Sequence, residues 1–257
     1  MSISLTADEL QALNLRLLGY LRASALRGRN HERIGPFLAT FNARDDNVYV
    51  NYAIPDDGVA PGAGDIAALI AAFAARQRTP RLEYIAAAAP DLEAALIAAG
   101  FVAEARVPVM ICRPGLERPA AAPGFDVFAA LADADLIGAE QAQAEAYGGP
   151  SRGPGGLRRT LKYGGVVAAA RDVASGVLAG AGTAQPPIDG ISEITGIGVA
   201  PDFRKRGIAG AITALLTSEA FAKDVTLLWL TPGGKEAERI YARAGFAAVS
   251  EALHISR

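Results

Sequence analysis

Ile197-Gly198-Val199-Ala200-Pro201-Asp202-Phe203-Arg204-Lys205-Arg206-Gly207-Ile208-Ala209 is the stretch that decides the fold. An apolar run that reads as a buried strand stops at Pro201, three basic residues follow, and a helix rich in small residues opens at Gly207. The first N–H groups of a helix have no partner inside it, and the helix dipole adds partial positive charge at the same end. Such an end is suited to an anion, above all a phosphate. Gly207 and Ala209 leave room for oxygens to reach the backbone, and Arg204, Lys205 and Arg206 add full charges. The other reading is a solvated basic turn before an ordinary helix. Positive charge at a helix start opposes the dipole, however, and a bound anion resolves that conflict.

The surroundings fit a strand–turn–helix unit. Upstream, residues 165–171 and 176–183 read as two strands joined by a turn at 172–175, and residues 191–199 as a third. Downstream come a helix at 207–222, a strand at 225–230, a helix at 235–244 and short strands at 246–249 and 252–256. Residues 125–131 read as a strand, 133–147 as a helix, 148–156 as a loop and 157–162 as a short helix. In the first half, Leu10, Leu13, Leu17 and Leu21 fall at helical spacing, predicting a helix over 6–26. A strand at 47–54, a loop at 55–64, a helix from the N-cap Asp65 to Gln77, a strand at 81–86, a helix at 91–99 and one or two strands over 101–112 complete it. Residues 113–124 carry Pro114, Pro119 and Pro123 with little apolar periodicity and read as a linker. The expected organisation is a domain at 1–113, a linker at 114–124 and a domain at 125–257.

The halves repeat each other. Gly100-Phe101 and Gly245-Phe246 each follow a strand and a helix. Carried backward without gaps, that offset places Gly62 on Gly207, Leu82 on Leu227, Glu93 on Glu238, and residues 48–54 on 193–199. One register running from strand to helix points to a duplicated unit.

The decisive stretch resembles a motif of the GNAT acyltransferases: Val, one residue, Pro, two residues, then Arg/Gln-x-x-Gly-x-Gly/Ala. Val199, Pro201, Arg204, Gly207 and Ala209 fill every place. Residues 235–246 are similar to the family's Asn-x-x-Ala-x-x-Leu-Tyr followed by Gly-Phe. Ala237, Ile240, Tyr241, Gly245 and Phe246 fit, and Gly234 stands where Asn is usual. The resemblance implies an α+β fold with a mixed α/β sheet in two tandem GNAT-like domains, each a mixed sheet flanked by helices. It implies acetyl-CoA as co-substrate, with the pyrophosphate on the amides of Lys205, Arg206, Gly207, Ile208, Ala209 and Gly210. The pantetheine arm would lie along Ile197, Gly198 and Val199, bounded by Ala237 and Ile240. The first half has Val59, Ala60 and Pro61 opposite the three basic residues, and Leu96 opposite Tyr241. It is expected to be a degenerate copy.

Acylating an amine needs a neutral nucleophile and a proton for the leaving thiolate. Tyr241 matches the family tyrosine beside the thioester sulfur and is the candidate acid; a core tyrosine on the inner helix face is the other reading. Glu193, six residues before Val199, is the candidate base through a water, against an exposed strand glutamate of no special role. Attack is expected to be direct. The Ala146-Tyr147-Gly148-Gly149-Pro150 stretch lies where the family's acceptor site is flanked, either as a lid or as an ordinary loop. A non-catalytic acyl-CoA-binding sensor is the alternative to an enzyme.

Composition narrows the partners. With 25 Lys+Arg against 27 Asp+Glu and a net charge of -2, no basic excess marks a nucleic-acid binder, which argues against an aminoacyl-tRNA acceptor. Two histidines, His31 and His254, and the single Cys112 cannot build the common zinc clusters, so no metal is expected. One cysteine forms no intrachain disulfide, which fits the cytoplasm. No apolar run approaches the roughly 20 residues of a membrane span. The expected partners are a small-molecule or peptide amine and, at most, a second copy of the chain as a homodimer.

Overall fold

Thr6 opens the first helix. Glu9 N donates to its hydroxyl at 3.3 Å while Thr6 N donates to the Glu9 carboxylate at 2.8 Å, a reciprocal cap that satisfies two donors at once. The computed structural model describes residues 3–27, 30–43 and 45–257. In chain order these form α1 (Ala7–Leu26), β1 (Asn30–Ile34), β2 (Phe37–Phe41), β3 (Ala53–Pro55), α2 (Ala63–Ala74), β4 (Arg81–Ile85), α3 (Leu92–Ala98), β5 (Val102–Cys112) and β6 (Phe125–Ala129). There follow α4 (Asp133–Tyr147), α5 (Gly155–Lys162), β7 (Val166–Asp172), β8 (Leu178–Ala184), β9 (Ile191–Val199), α6 (Ile208–Phe221), β10 (Leu227–Leu230), α7 (Lys235–Arg243) and β11 (Ala247–Ser256). No helix among them is long and apolar enough to cross a membrane.

The chain forms two compact units, residues 110–248 and residues 3–109 with 249–257. In the first-half unit, β1, β2 and β3 run antiparallel in turn, β3 is parallel to β4 at Ala53↔Leu82, and Ala252–Ser256 of β11 pair antiparallel with β4. In the second-half unit, β6, β7, β8 and β9 run antiparallel, β10 is parallel to β9, and Met110–Cys112 of β5 pair antiparallel with β10. Both parallel pairs, β3–β4 and β9–β10, are joined by a crossover helix, as parallel strands require. The two halves therefore share one plan, the tandem α+β arrangement expected. Each unit is completed by the last strand of the other half of the sequence. Residues 249–257, assigned by sequence to the second domain, cluster with the first unit for that reason.

Several details differ from the sequence reading. Residues 47–54 do not form one strand; β3 is only Ala53–Pro55. Asp45 and Asn47 accept from Asn47 N and Tyr49 N at 3.0 and 2.9 Å, and Asn51 accepts from Asn42 N at 2.7 Å. Side chains of this type capture nearby backbone and divert it from a ladder. The ungapped repeat also breaks. Leu82 and Leu227 are 145 apart, but their strand partners Ala53 and Ile191 are 191 − 53 = 138 apart. The register holds from the helices α2 and α6 onward, and a seven-residue gap precedes it, so Glu193 has no counterpart at Val48. Finally, β1 and β2 form a hairpin through Gly35 at φ +51 in a stretch the sequence left unassigned, and β5 and β11 are single long strands.

The second-half unit carries two apolar layers. Ala168, Ala170, Ile194, Leu228 and Leu230 pack with Ile208, Ile212 and Leu216 of α6. Val167, Ala169 and Ala181 pack on the other face with Leu136 and Ala139 of α4 and Leu157 of α5. Alternate residues of β7 thus serve opposite faces. Small residues let the helices lie close to the sheet: a Cβ on Gly182 would stand 2.8 Å from Ile197 Cγ1 and 3.0 Å from Ile212 Cγ2.

Candidate functional site

The site is a gap between two strands. β9 and β10 pair in parallel at Ile191, Ser192 and Glu193. β10 ends one residue later, at Leu230, while β9 continues to Val199. Among the described residues, the far half of β9 has a strand, β8, on one edge only. The pairing with β8 slips between Ala181 and Thr183, where Gly196 and Ile197 face a single residue. Gly196 takes φ +65, the glycine bulge that bends a strand and re-aims its side chains. Glu193 and Thr195 lie on the α4 side; after the bulge Ile197 and Val199 turn to the α6 core. Gly198 faces α4 so closely that a Cβ would lie 2.8 Å from Ala146 Cβ and 3.4 Å from the Tyr147 ring.

The turn after β9 presents its backbone. Pro201–Phe203 make one 3-10 turn, Lys205 takes φ +63 and Gly207 φ +84. Left-handed residues next to a helix start aim successive amides into one concavity. α6 has no side-chain cap, and its first backbone bond is Ala211 N to Gly207 O at 3.1 Å. Among the described residues, the amides of Ile208, Ala209 and Gly210 have no intrahelical acceptor, the condition under which a helix start holds an anion.

The three basic side chains do not converge there. Arg204 bridges backbone, donating from Nε to Val199 O at 3.1 Å and from a terminal nitrogen to Ala146 O at 2.9 Å. Arg206 lies over the Phe125 ring at 4.5 Å, with Asp172 at 4.0 Å. Lys205 is exposed and, among the described residues, has no ion-pair partner. The donors left open at this turn are the amides and the Lys205 ammonium, while Arg204 shapes the turn. A guanidinium already bonded twice to carbonyls has two fixed anchors.

Residues 113–124 are not a free linker. They belong to the second-half unit, with Ala122 buried and Leu116 against the α6 core. Arg118 N donates to Ala244 O at 3.1 Å. A Cβ on Gly207 would sit 3.2 Å from Ala121 O, and one on Gly210 3.9 Å from both Ala120 Cβ and Ile240 Cγ2. Composition flagged the prolines of this strap but carries no signal of its docking.

Tyr241 sits partly buried on the inner face of α7 with Ala237 and Ile240, against the α6 core and edge-on to Phe246 at 6.4 Å. Burial, and then the neighbouring Tyr147 phenol, push its pKa up to about 12. Glu193 is partly exposed in β9, beside Trp229 in the parallel register, and its carbonyl accepts from Gln185 N at 2.8 Å. On the same face, Gln185 Nε2 donates to Thr195 Oγ1 at 2.7 Å and Thr183 Oγ1 at 3.0 Å. Sequence reasoning passed over this polar cluster, and also Gln143, whose Nε2 donates to Gly196 O at 2.6 Å. Helical phase could have placed Gln143 beside the strand; the bulge that receives it has no sequence mark beyond Gly196. No cluster of three or more metal-ligating side chains occurs among the described residues.

Comparison with known proteins bears on this geometry. Residues 141–246 match the Acetyltransferase (GNAT) family. Among solved structures, a GCN5-related N-acetyltransferase from Kribbella flavida is 24% identical with a TM-score of 0.79, the match covering 95% of both chains. A GCN5-related N-acetyltransferase from Sphaerobacter thermophilus is 16% identical with a TM-score of 0.67, covering 96% of this chain and 90% of the other. A tandem GNAT protein from the clavulanic acid biosynthesis pathway is 12% identical with a TM-score of 0.61, covering 100% and 97%. At these identities the likeness is one of fold. No match was found among curated proteins.

Proposed function

We propose, from the premise that residues 141–246 are a GNAT acetyltransferase domain, that this chain moves an acetyl group from acetyl-CoA to a primary amine of a small molecule or peptide. One observation carries the reading: β9 parts from β10 just before an uncapped helix start. An extended arm fits along the free edge of β9, at Ile197 and Val199, and a diphosphate fits on the amides of residues 205–210. Ala237 and Ile240 bound the arm from α7. Acetyl-CoA is a substrate rather than a resident cofactor, and the residues present fit it.

The neutral amine attacks the thioester carbonyl carbon. A C–N bond forms, the C–S bond breaks, the sulfur leaves with the electron pair, and one proton passes from nitrogen to solvent or base. Glu193, on the α4 side of β9, takes that proton through a water. Tyr241 keeps its own proton throughout the neutral range and supplies it toward the departing sulfur. Cys112 is fully buried, with its thiol pushed up to about 12 by burial. It is therefore no nucleophile, and attack is direct. A cytoplasmic setting and an acceptor with no nucleic-acid component belong to the same proposal.

A second reading, a non-catalytic acyl-CoA sensor, draws on one observation. A phenol held at about 12 parts with its proton less readily than a thiol of ordinary pKa near ~8.5. Thiol release during incubation with acetyl-CoA and a library of amines separates the two readings. Release above hydrolysis with at least one amine supports the transferase. Binding of acetyl-CoA with no release across the library supports the sensor.

A further inference from the structure

The free edge of β9 is already occupied by the protein itself. Ala200 N donates to Ala179 O at 2.9 Å. Antiparallel pairing alternates, so the backbone groups of Gly198 turn toward β8 while those of Ile197 and Val199 turn away, to the edge that β10 has left. Both outward carbonyls carry a bond. Val199 O accepts from Arg204 Nε at 3.1 Å, and Ile197 O accepts from the Tyr147 hydroxyl at 3.0 Å. Gly196 O, at the bulge, accepts from Gln143.

These donors are not equally fixed. Arg204 is anchored at a second carbonyl, Ala146 O. Gln143 lies partly buried inside α4, with its Nε2 where a Cβ on Gly196 would come within 2.8 Å. Tyr147 is the last residue of α4, followed by Gly148 in the left-handed conformation and by Gly149. The residue is 66% exposed, and among the described residues its hydroxyl is held by the bond to Ile197 O. Rotation about its own side-chain torsions frees the carbonyl without moving the helix.

We infer that Tyr147 is a further donor-site residue, one that sets acyl-CoA affinity by holding the Ile197 carbonyl in the ligand-free protein. The inference rests on the donor site proposed above. An amide N–H in the extended arm of an acyl-CoA takes the Ile197 carbonyl, and the phenol withdraws. Binding then exchanges one hydrogen bond for another, so the arm gains less from this carbonyl than it would from a vacant one. Tyr147→Phe keeps the ring and the packing and removes the competitor.

The test is calorimetric titration of coenzyme A and acetyl-CoA into wild type and Tyr147→Phe. The expected result is tighter binding by the variant, by about 2- to 10-fold, the span of one net neutral hydrogen bond. Without ligand the variant melts at the same temperature or slightly lower, and its coenzyme A-induced shift is larger than that of wild type. Equal affinity overturns the inference, because the carbonyl then serves both donors. Weaker affinity overturns it too, because the hydroxyl then contacts the ligand. Wild-type protein that ignores coenzyme A removes the donor-site reading itself, an outcome distinct from either.

Discussion

Gly245→Ala probes the docking of the 113–124 strap onto the second-half unit. Gly245 takes φ +105, and a Cβ there would lie 2.1 Å from Leu116 O, 2.9 Å from Leu116 C and 3.1 Å from Glu117 Cα. All three are backbone atoms, which cannot rotate away. Two costs add. An L-residue at such a φ costs about 1–2 kcal/mol, and forcing extra volume into a packed contact costs about 1–3 kcal/mol. Gly176→Ala is the control. Gly176 takes φ +75 with nothing within 4 Å of its Cβ, so it carries the conformational cost alone. Urea unfolding followed by Trp229, the chain's single tryptophan and a buried residue of β10, gives both midpoints. At unchanged slope the difference between the variants isolates the strap contact. Gly245→Ala should be less stable than Gly176→Ala by about 1–3 kcal/mol. Equal destabilisation would show that the strap does not lie against Gly245 and that residues 113–124 are a free connection after all.

Tyr241→Phe should lower turnover at least ~10-fold while coenzyme A affinity changes less than about 2-fold, as for a group used mainly in the transition state; unchanged turnover removes Tyr241 as the acid. Arg204→Lys should resemble Arg204→Ala rather than wild type in stability, each losing about 1 kcal/mol, because an ammonium cannot span Val199 O and Ala146 O as the fork does; a fully stable lysine variant in urea unfolding contradicts that bridge. Cys112 and Tyr241 are both pushed up to about 12 by burial, so the unfolded chain ionises them first. Their contribution to stability is whole below about pH 8.5 and is lost as pH rises through 10 to 12. Unfolding midpoints that rise between pH 8 and 10.5 would oppose this, as would reaction of Cys112 with a thiol reagent before unfolding.

The sequence was most legible where local chemistry decides structure. α1 over Ala7–Leu26, α4 over Asp133–Tyr147 and β9 over Ile191–Val199 were readable to within a residue or so, because periodicity and apolar runs act over short range. The turn from Pro201 to Gly207 was readable for the same reason. What stayed hidden depends on partners distant in the chain. The basic run suggested three charges on one anion, yet Arg204 answers to Val199 and Ala146, and Arg206 to Phe125 and Asp172. The exchange of last strands is invisible because β5 and β11 look alike as strands whichever neighbour they pair with. Residues 47–54 alternate like a strand, but local Asn and Asp bonds outweigh that pattern.

The central claim is that the amides of residues 205–210 hold the diphosphate of coenzyme A. Titration of coenzyme A against pantetheine, which lacks the diphosphate, tests it directly. One equivalent of coenzyme A should bind per chain, more weakly as salt rises, and pantetheine should bind at least ~10-fold more poorly, the scale of a charge-assisted contact. Pantetheine binding as tightly as coenzyme A, or no binding of coenzyme A at millimolar concentration, would contradict it.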